Sequence, residues 1–169
     1  MQKKQSPLSQ TCIDAFSLAT QSMLLEMTDT SSKQGVMSRG YGFQPSHEVV
    51  VFIDLTGAIE GVFVLSVTKN MAVYIASKMM GISSMTSDDE AMDSAMIEFC
   101  NVTAGQALIS LEHNGLSGVT ISTPTIFYGS FEKIPIEEEA ETATMHVDTQ
   151  LGAIEMWLST AWENKLSCS

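Results

Sequence analysis

Positive charge is scarce in this sequence. Among 169 residues there are 8 Lys or Arg against 20 Asp or Glu, which gives a formal net charge of -12 and an isoelectric point near 4.4. Binding to a phosphate backbone needs a Lys/Arg stripe that releases counterions, and none is present. The composition therefore argues against a nucleic-acid partner.

Long apolar runs are also missing. A helix that spans a bilayer needs a run of about 18 or more apolar residues, and the sequence contains no such run. The two lysines near the start are not followed by the apolar segment of a signal peptide. The three cysteines, Cys12, Cys100 and Cys168, are odd in number and widely spaced, which fits a reducing compartment better than a disulfide framework or a zinc site. We therefore expect a cytoplasmic protein without a membrane span.

Motifs for cofactor chemistry are lacking as well. The three histidines share no metal-ligand spacing with one another or with the cysteines, and there is no Gly-rich phosphate loop and no nucleophile elbow. Cys100 is better explained as a small core residue than as a nucleophile. We expect this chain to bind no cofactor or metal of its own.

The apolar pattern predicts one α+β domain over residues 1–169. With 44% hydrophobic residues and four prolines, the chain can bury one substantial core. Helical periodicity is present over residues 8–28, 68–81 and 87–114, and two hairpins are predicted at residues 48–67 and 142–160, with short strands at 35–39, 118–123 and 125–128. The acidic stretch at residues 132–141 is most simply a solvated loop. This order favours helices packed on a mainly antiparallel sheet.

A short repeat raises the possibility of internal duplication. The tetrapeptide Gly-Ala-Ile-Glu occurs in both predicted hairpins, beginning at Gly57 and at Gly152. Sliding the first helix onto the long helix places Asp14 over Glu98 and Ser17 over Asn101. Either the chain is a duplicated α-β-β unit or the repeat is a coincidence in two hairpins.

The long helix carries the most informative pattern. A capping box of Ser87 and Glu90 predicts its start, and the Asn114-Gly115 pair predicts its end. At about 100° per residue, the polar or small residues of this helix share a stripe roughly 80° wide, whereas the rest of the cylinder is apolar or small. The members of this polar stripe are Glu90, Ser94, Glu98, Asn101, Gly105 and Glu112.

Two explanations of the polar stripe stand at this point. A Glu and an Asn one turn apart are often only the solvated face of an amphipathic helix. However, the stripe is narrow, and Gly105 costs the helix about 1 kcal/mol relative to alanine. A glycine at this position is explained either by a function of the site or by close packing of the long helix against a neighbouring helix or strand.

The residues around the stripe resemble the CheX/CheC/FliY family of chemotaxis phosphatases, and its CheX type in particular. The resemblance rests on the stretch from Glu98 to Gln106 (EFCNVTAGQ), on residues 121–125 (ISTPT) and on Gly129. The hairpin at Gly57 and the end of the second helix at Gly81 also fit. The resemblance implies a CheC/CheX-like fold and a phosphatase that acts on the phosphoaspartate of a CheY-type response regulator.

The chemistry of that reaction assigns roles to the stripe. The resemblance implies that Glu98 and Asn101 are catalytic, with Asn101 orienting the attacking water and Glu98 docking to the lysine of the receiver domain. Ser94, Gly105 and Gln106 are expected to contact the partner, with Gly105 allowing its backbone to approach closely. Mg²⁺ is expected on the partner receiver and not on this chain. The alternative is a non-catalytic module of the same fold that only binds a receiver domain or acts as a signalling adaptor.

Two departures from the family pattern limit the resemblance. Gln106 stands where the family often has asparagine, and Asp14 and Ser17 stand where a two-site member carries a second Glu and Asn. The sequence therefore predicts a single active site. The resemblance also implies a homodimer built through the sheet, and we expect residues 48–55 to be a strand that could form an exposed edge.

Overall fold

The structure, a computed structural model, describes residues 8–129 and 140–161. Most of the predicted acidic loop, including Glu137, and Cys168 lie outside these residues. The described elements are α1 (Gln10–Thr28), β1 (Lys33–Tyr41), β2 (Val49–Gly57), β3 (Glu60–Val67), α2 (Lys69–Met80), α3 (Glu90–His113), β4 (Val119–Ile121), β5 (Thr125–Tyr128), β6 (Glu141–Thr149) and β7 (Gly152–Ala161). The predicted helices, both hairpins and the strands predicted at 118–123 and 125–128 are therefore present. The short strand predicted at 35–39 is part of the nine-residue β1.

Local capping fixes most helix ends. Ser9 and Thr68 accept hydrogen bonds from the first turns of α1 and α2, and Gly81 ends α2 in the left-handed conformation. The predicted capping box of Ser87 and Glu90 is wrong, because α3 begins at Glu90 and its N-cap is Asp89. The Asp89 carboxylate instead accepts from the backbone N–H of Thr86 at 2.7 Å, so it closes the preceding turn.

The sheet places β2 in its interior. The strand order is β1-β6-β7-β3-β2-β4, with β5 also pairing with β2. The expectation that residues 48–55 form an edge is therefore wrong, since β2 pairs with β3 on one side and with β4 and β5 on the other. Within the described residues, the long strand at the end of this order is β1.

The strand order supports an internal duplication. The second strands of the two hairpins, β3 and β7, pair with each other in the middle of the sheet. The strand after α1 pairs with β6 of the second hairpin, and the short strands after α3 pair with β2 of the first. Each half is thus a helix, followed by one strand (β1) or two short strands (β4 and β5) that pair with the other half, and then a hairpin. The first half has one strand more than the predicted α-β-β unit, and the second half has two more.

The repeated Gly-Ala-Ile-Glu tetrapeptide is weak support for the internal duplication, because its two copies occupy different positions in their hairpins. Gly57 ends β2 and Glu60 begins β3, so the first copy spans the turn, whereas the second copy begins β7 at Gly152. Both glycines have positive φ, 99° and 123°, a conformation that favours glycine. The two copies share this requirement but not their position relative to the turn.

The three helices cover one face of the sheet and bury the main core. Phe16 of α1 and Phe63 of β3 lie with ring centroids 4.5 Å apart. α1 packs on β6 and β1, α3 packs on β2, β4 and β5, and α1 and α3 pack against each other. None of the helices in the described part of the chain is both long and apolar enough to cross a membrane.

Candidate active site

The polar stripe of α3 is exposed as predicted. Glu90, Ser94, Glu98 and Glu112 are exposed, and Asn101 and Gly105 are half-buried. The helix holds this stripe outward because the residues of its opposite side fill the core, each 0% exposed: Met92, Met96, Phe99, Cys100, Thr103, Ala104, Ala107 and Leu111. The stripe is therefore fixed by burial of the other side and not by contacts of its own.

The exposed side of α3 is wider than the sequence predicts. Ile109 is 49% exposed, Gln106 is exposed and Val102 is half-buried. At about 100° per residue these three side chains lie on the same side of the stripe, and Gln106 among them lines a groove with residues of α1. The helix therefore presents a polar stripe with an apolar flank, and not one polar window in an otherwise buried helix.

Glu98 and Asn101 share a cleft with the segment that joins β4 to β5. Ile97, Glu98 and Asn101 from α3 form one wall of this cleft and residues 121–124 form the other, around a volume of about 330 Å³. No hydrogen bond to the side chain of Glu98 or Asn101 is formed within residues 8–129 and 140–161. Both groups are thus available to an incoming ligand.

The second wall is the part of the site that sequence reasoning missed. Residues 121–124 form that wall. In the sequence they belong to the stretch 121–125 that carries the family resemblance, and no role is predicted for them. The spacing from Asn101 gives no local signal that these residues return to α3. β4 and β5 pair with β2, and α3 packs on all three strands. This packing brings residues 121–124 next to Glu98 and Asn101.

Gly105 lies over open space. A Cβ built on it meets no atom within 4 Å, apart from the helix's own nearby backbone. The alternative explanation, close packing against a neighbouring helix or strand, is therefore excluded for the described residues. The structure leaves the site above Gly105 free for an external contact.

The remaining predicted partner-binding residues lie at different distances from the cleft. Ser94 is exposed on the stripe one turn before Glu98. Gln106 instead lines a separate groove between α1 and α3, together with Leu18 and Ser110. Ser94 extends the surface that carries Glu98, whereas Gln106 lies on the flank of α3.

The first helix carries no second pair. Ser17 is 0% exposed, and its hydroxyl has no hydrogen-bond partner among the described residues. Asp14 accepts a hydrogen bond from the side-chain amide of Gln10 at 2.8 Å. A buried serine cannot orient a water for an external substrate, so α1 does not repeat the arrangement of α3.

Groups for covalent or metal chemistry are not gathered at the cleft. Burial raises the pKa of the Cys100 thiol, which disfavours the reactive thiolate. Within the described ranges, no cluster of three His, Cys, Asp or Glu side chains is placed to hold a metal ion. What the cleft offers is a carboxylate and a carboxamide, which can bind, orient and exchange hydrogen bonds with a ligand.

A buried carboxylate on the other face of the sheet has a structural role. Glu155 is 3% exposed and accepts from Ser46 N at 2.9 Å, Ser46 Oγ at 2.8 Å and Trp157 Nε1 at 2.9 Å. Burial alone raises the pKa of Glu155, but the hydrogen bonds from Trp157 and Ser46 outweigh it and lower the net pKa. The carboxylate therefore ties the segment before β2 to the sheet.

Comparison with known proteins identifies the family. Residues 49–149 match the family model described as "Chemotaxis phosphatase CheX", a range that contains α3 and both walls of the cleft. The chain belongs to the CheX family. It is 39% identical over 88 residues to the CheY-P phosphatase CheX of Thermotoga maritima, a match that covers 52% of this chain and 56% of that protein. The chain therefore spans little more than half the length of this relative.

Solved structures confirm the fold. CheX from Desulfovibrio desulfuricans has a TM-score of 0.78 at 20% identity, covering 89% of this chain and 99% of that one. The Borrelia burgdorferi CheX-CheY-BeF₃-Mg²⁺ complex has a TM-score of 0.71 at 23% identity, covering 89% and 97%. FliY of Thermotoga maritima has a TM-score of 0.65 at 22% identity, covering 86% and 83%. The predicted CheC/CheX-like α+β fold is thus confirmed.

Proposed function

We propose that this protein hydrolyses the acyl phosphate on a CheY-type receiver domain, with Glu98 and Asn101 as its catalytic residues. The observation that carries this proposal is the cleft itself, which is lined by the exposed Glu98 and the half-buried Asn101, neither with a hydrogen-bond partner for its side chain among the described residues. The membership of the CheX family and the likeness to a protein named as a CheY-P phosphatase support it.

Asn101 is assigned to the attacking water. Hydrolysis of an acyl phosphate needs a water in line with the phosphorus, and catalysis of phosphoryl transfer is largely positioning and charge stabilisation. A carboxamide both accepts and donates hydrogen bonds, and it does not change protonation state near neutral pH. Because the backbone of α3 is fixed by the buried core, Asn101 can hold the water without reorganising the helix.

Glu98 is assigned to docking. It lies one turn before Asn101 on the same stripe, where its carboxylate can pair with a lysine of the receiver. This pairing sets the position of α3 over the phosphorylated aspartate. Mg²⁺ is assigned to the receiver, where it neutralises charge on the phosphoryl oxygens. A CheY-type partner is supported by the Borrelia structure, which combines CheX with CheY.

The direct test is phosphate release from a phosphorylated receiver. The wild type should exceed spontaneous decay, and Asn101→Ala should lose about a hundredfold in kcat because the water is no longer oriented. Glu98→Ala should raise KM about tenfold with little change in kcat. Glu112→Ala is the matched control, since Glu112 is also an exposed glutamate of the stripe but lies outside the cleft.

Three outcomes decide between enzyme and binding module. If the wild type binds the receiver but does not accelerate phosphate release, the non-catalytic alternative replaces the enzyme. If Asn101→Ala is as active as the wild type, the assignment of the water-orienting residue is wrong. If Glu98→Ala loses most of its kcat at saturating receiver, the proposed division of roles is wrong.

We also propose a homodimer and a cytoplasmic location. β1 is the candidate edge, because it ends the strand order within the described residues and exposes Val36 and Tyr41 at 72% and 77%. Sedimentation over a range of concentrations tests this, and a monomer at every concentration would contradict it. The location is supported by Cys12 and Cys100, which are buried and free.

A further inference from the structure

The segment between β4 and β5 is held in one conformation by two hydrogen bonds to β2 and one within the segment itself. Ser122 N donates to the carbonyl of Asp54 at 3.0 Å, and Asp54 N donates to Ser122 Oγ at 3.0 Å. Ser122 Oγ in turn donates to the carbonyl of Thr123 at 3.2 Å. Pro124, which follows, is buried and its ring fixes φ. The wall is therefore ordered before any ligand arrives.

Thr123 is the member of this wall that points outward. It is exposed, it lines the same cleft as Glu98 and Asn101, and its hydroxyl has no hydrogen-bond partner within the described ranges. A hydroxyl can both donate and accept, so it can bind either a main-chain carbonyl or a main-chain amide. Ser122 has no such freedom, because its hydroxyl already bridges β2 and Thr123.

We infer that residues 121–124 are a second docking wall for the receiver, with Thr123 binding the main chain of the loop beside the phosphorylated aspartate. This inference rests on the proposed function above. If Asn101 holds the water at the phosphorus, the part of the receiver that enters the cleft is the part adjacent to the phosphoaspartate. A cleft of about 330 Å³ accommodates a loop edge and not a whole domain surface.

The position of Thr123 predicts an effect on binding and not on the chemical step. Thr123→Val keeps the shape of the side chain and removes the hydroxyl, so the dissociation constant of the receiver should rise about fivefold, the effect of one net hydrogen bond. Thr123→Glu adds a carboxylate that faces the phosphoryl group, and the dissociation constant should rise more than about tenfold. In both variants kcat should stay within about twofold of the wild type.

The experiment combines two measurements on the full chain. Binding is titrated with receiver loaded with beryllofluoride and Mg²⁺, and turnover is followed as phosphate release over a range of phosphorylated receiver. The matched control is Thr125→Val in β5, a threonine that is exposed like Thr123 but does not line the cleft. This control should bind and turn over like the wild type.

The outcomes separate this inference from the function on which it rests. Wild-type binding and turnover in both Thr123 variants, together with loss of activity in Asn101→Ala, overturn the second wall and leave the proposed function intact. A fall in kcat with an unchanged dissociation constant also overturns it, because it places Thr123 in the chemical step. A wild-type protein that neither binds nor dephosphorylates the receiver overturns the proposed function and this inference with it.

Discussion

Gly105 allows a prediction in which stability and docking change in opposite directions. It lies within α3, its φ is not positive, and a Cβ built on it meets no atom within 4 Å. Gly105→Ala should therefore gain the helix-propensity difference of about 1 kcal/mol without a steric cost. For a chain of this length that corresponds to a rise in Tm of about 2–4 °C.

The same substitution should weaken the proposed partner contact. If Gly105 is present so that the receiver backbone can approach α3, a methyl group at this point lies in the interface. The dissociation constant of receiver loaded with beryllofluoride and Mg²⁺ should rise even though the free protein is more stable. Thermal unfolding followed by circular dichroism and a binding titration on the same sample measure the two effects.

Gly115 provides the matched control. A Cβ on Gly115 also meets open space, but its φ is +87°. Gly115→Ala should therefore lose about 1–2 kcal/mol, because the left-handed conformation strains an L side chain. Gly115 follows the end of α3, so receiver binding should not change while the protein is folded. A lower Tm for Gly105→Ala would refute the open-space argument, and an unchanged dissociation constant would refute the role in partner approach.

Two further predictions concern the sheet. Glu155→Gln should destabilise the fold by about 2 kcal/mol, since an amide cannot accept all three hydrogen bonds. Because the pKa of Glu155 is lowered on folding, this carboxylate stabilises above its unfolded pKa of about 4.3. The difference between wild type and variant in urea unfolding should therefore shrink as the pH falls through the folded pKa, and a difference independent of pH would contradict the assignment. Gly61→Ala should cost about 3 kcal/mol or prevent folding, because its Cβ would lie 2.0 Å from the carbonyl oxygen of Ser159; wild-type stability would show that β3 and β7 are not paired as described.

Local patterns predicted the elements well where one signal dominated. The helix of α2 between Thr68 and Gly81 was predicted from its caps, and β5 was predicted from its β-branched and aromatic residues. The start of α3 was not, because several acidic and hydroxyl residues near Ser87 are all plausible caps. Asp89 takes that position although its side chain bonds to Thr86, which only the conformation of the preceding turn could decide.

The order of strands in the sheet could not be predicted from the sequence, for a different reason. Residues 48–55 are apolar enough to be either a buried edge or a central strand, and alternation gives no information about which neighbours a strand acquires. β1 of the first half pairs with β6 of the second, and β4 and β5 of the second half pair with β2 of the first. The pairing with β4 and β5 places β2 in the interior of the sheet. These strand pairs join residues that are far apart in the chain, so the local periodicity of apolar residues does not predict them.

The sequence by itself determined which face of α3 is polar, because helical periodicity is a local property and the buried residues on the other side leave the polar stripe only one orientation. It also determined that α1 has Ser17, and no carboxamide, at the position that aligns with Asn101 of α3. Only the tertiary structure decided that residues 121–124 form the opposite wall of the cleft, that Gly105 is open and that Ser17 is buried. Those facts depend on which elements pack together, and packing is set by contacts between distant segments that the order of residues does not display.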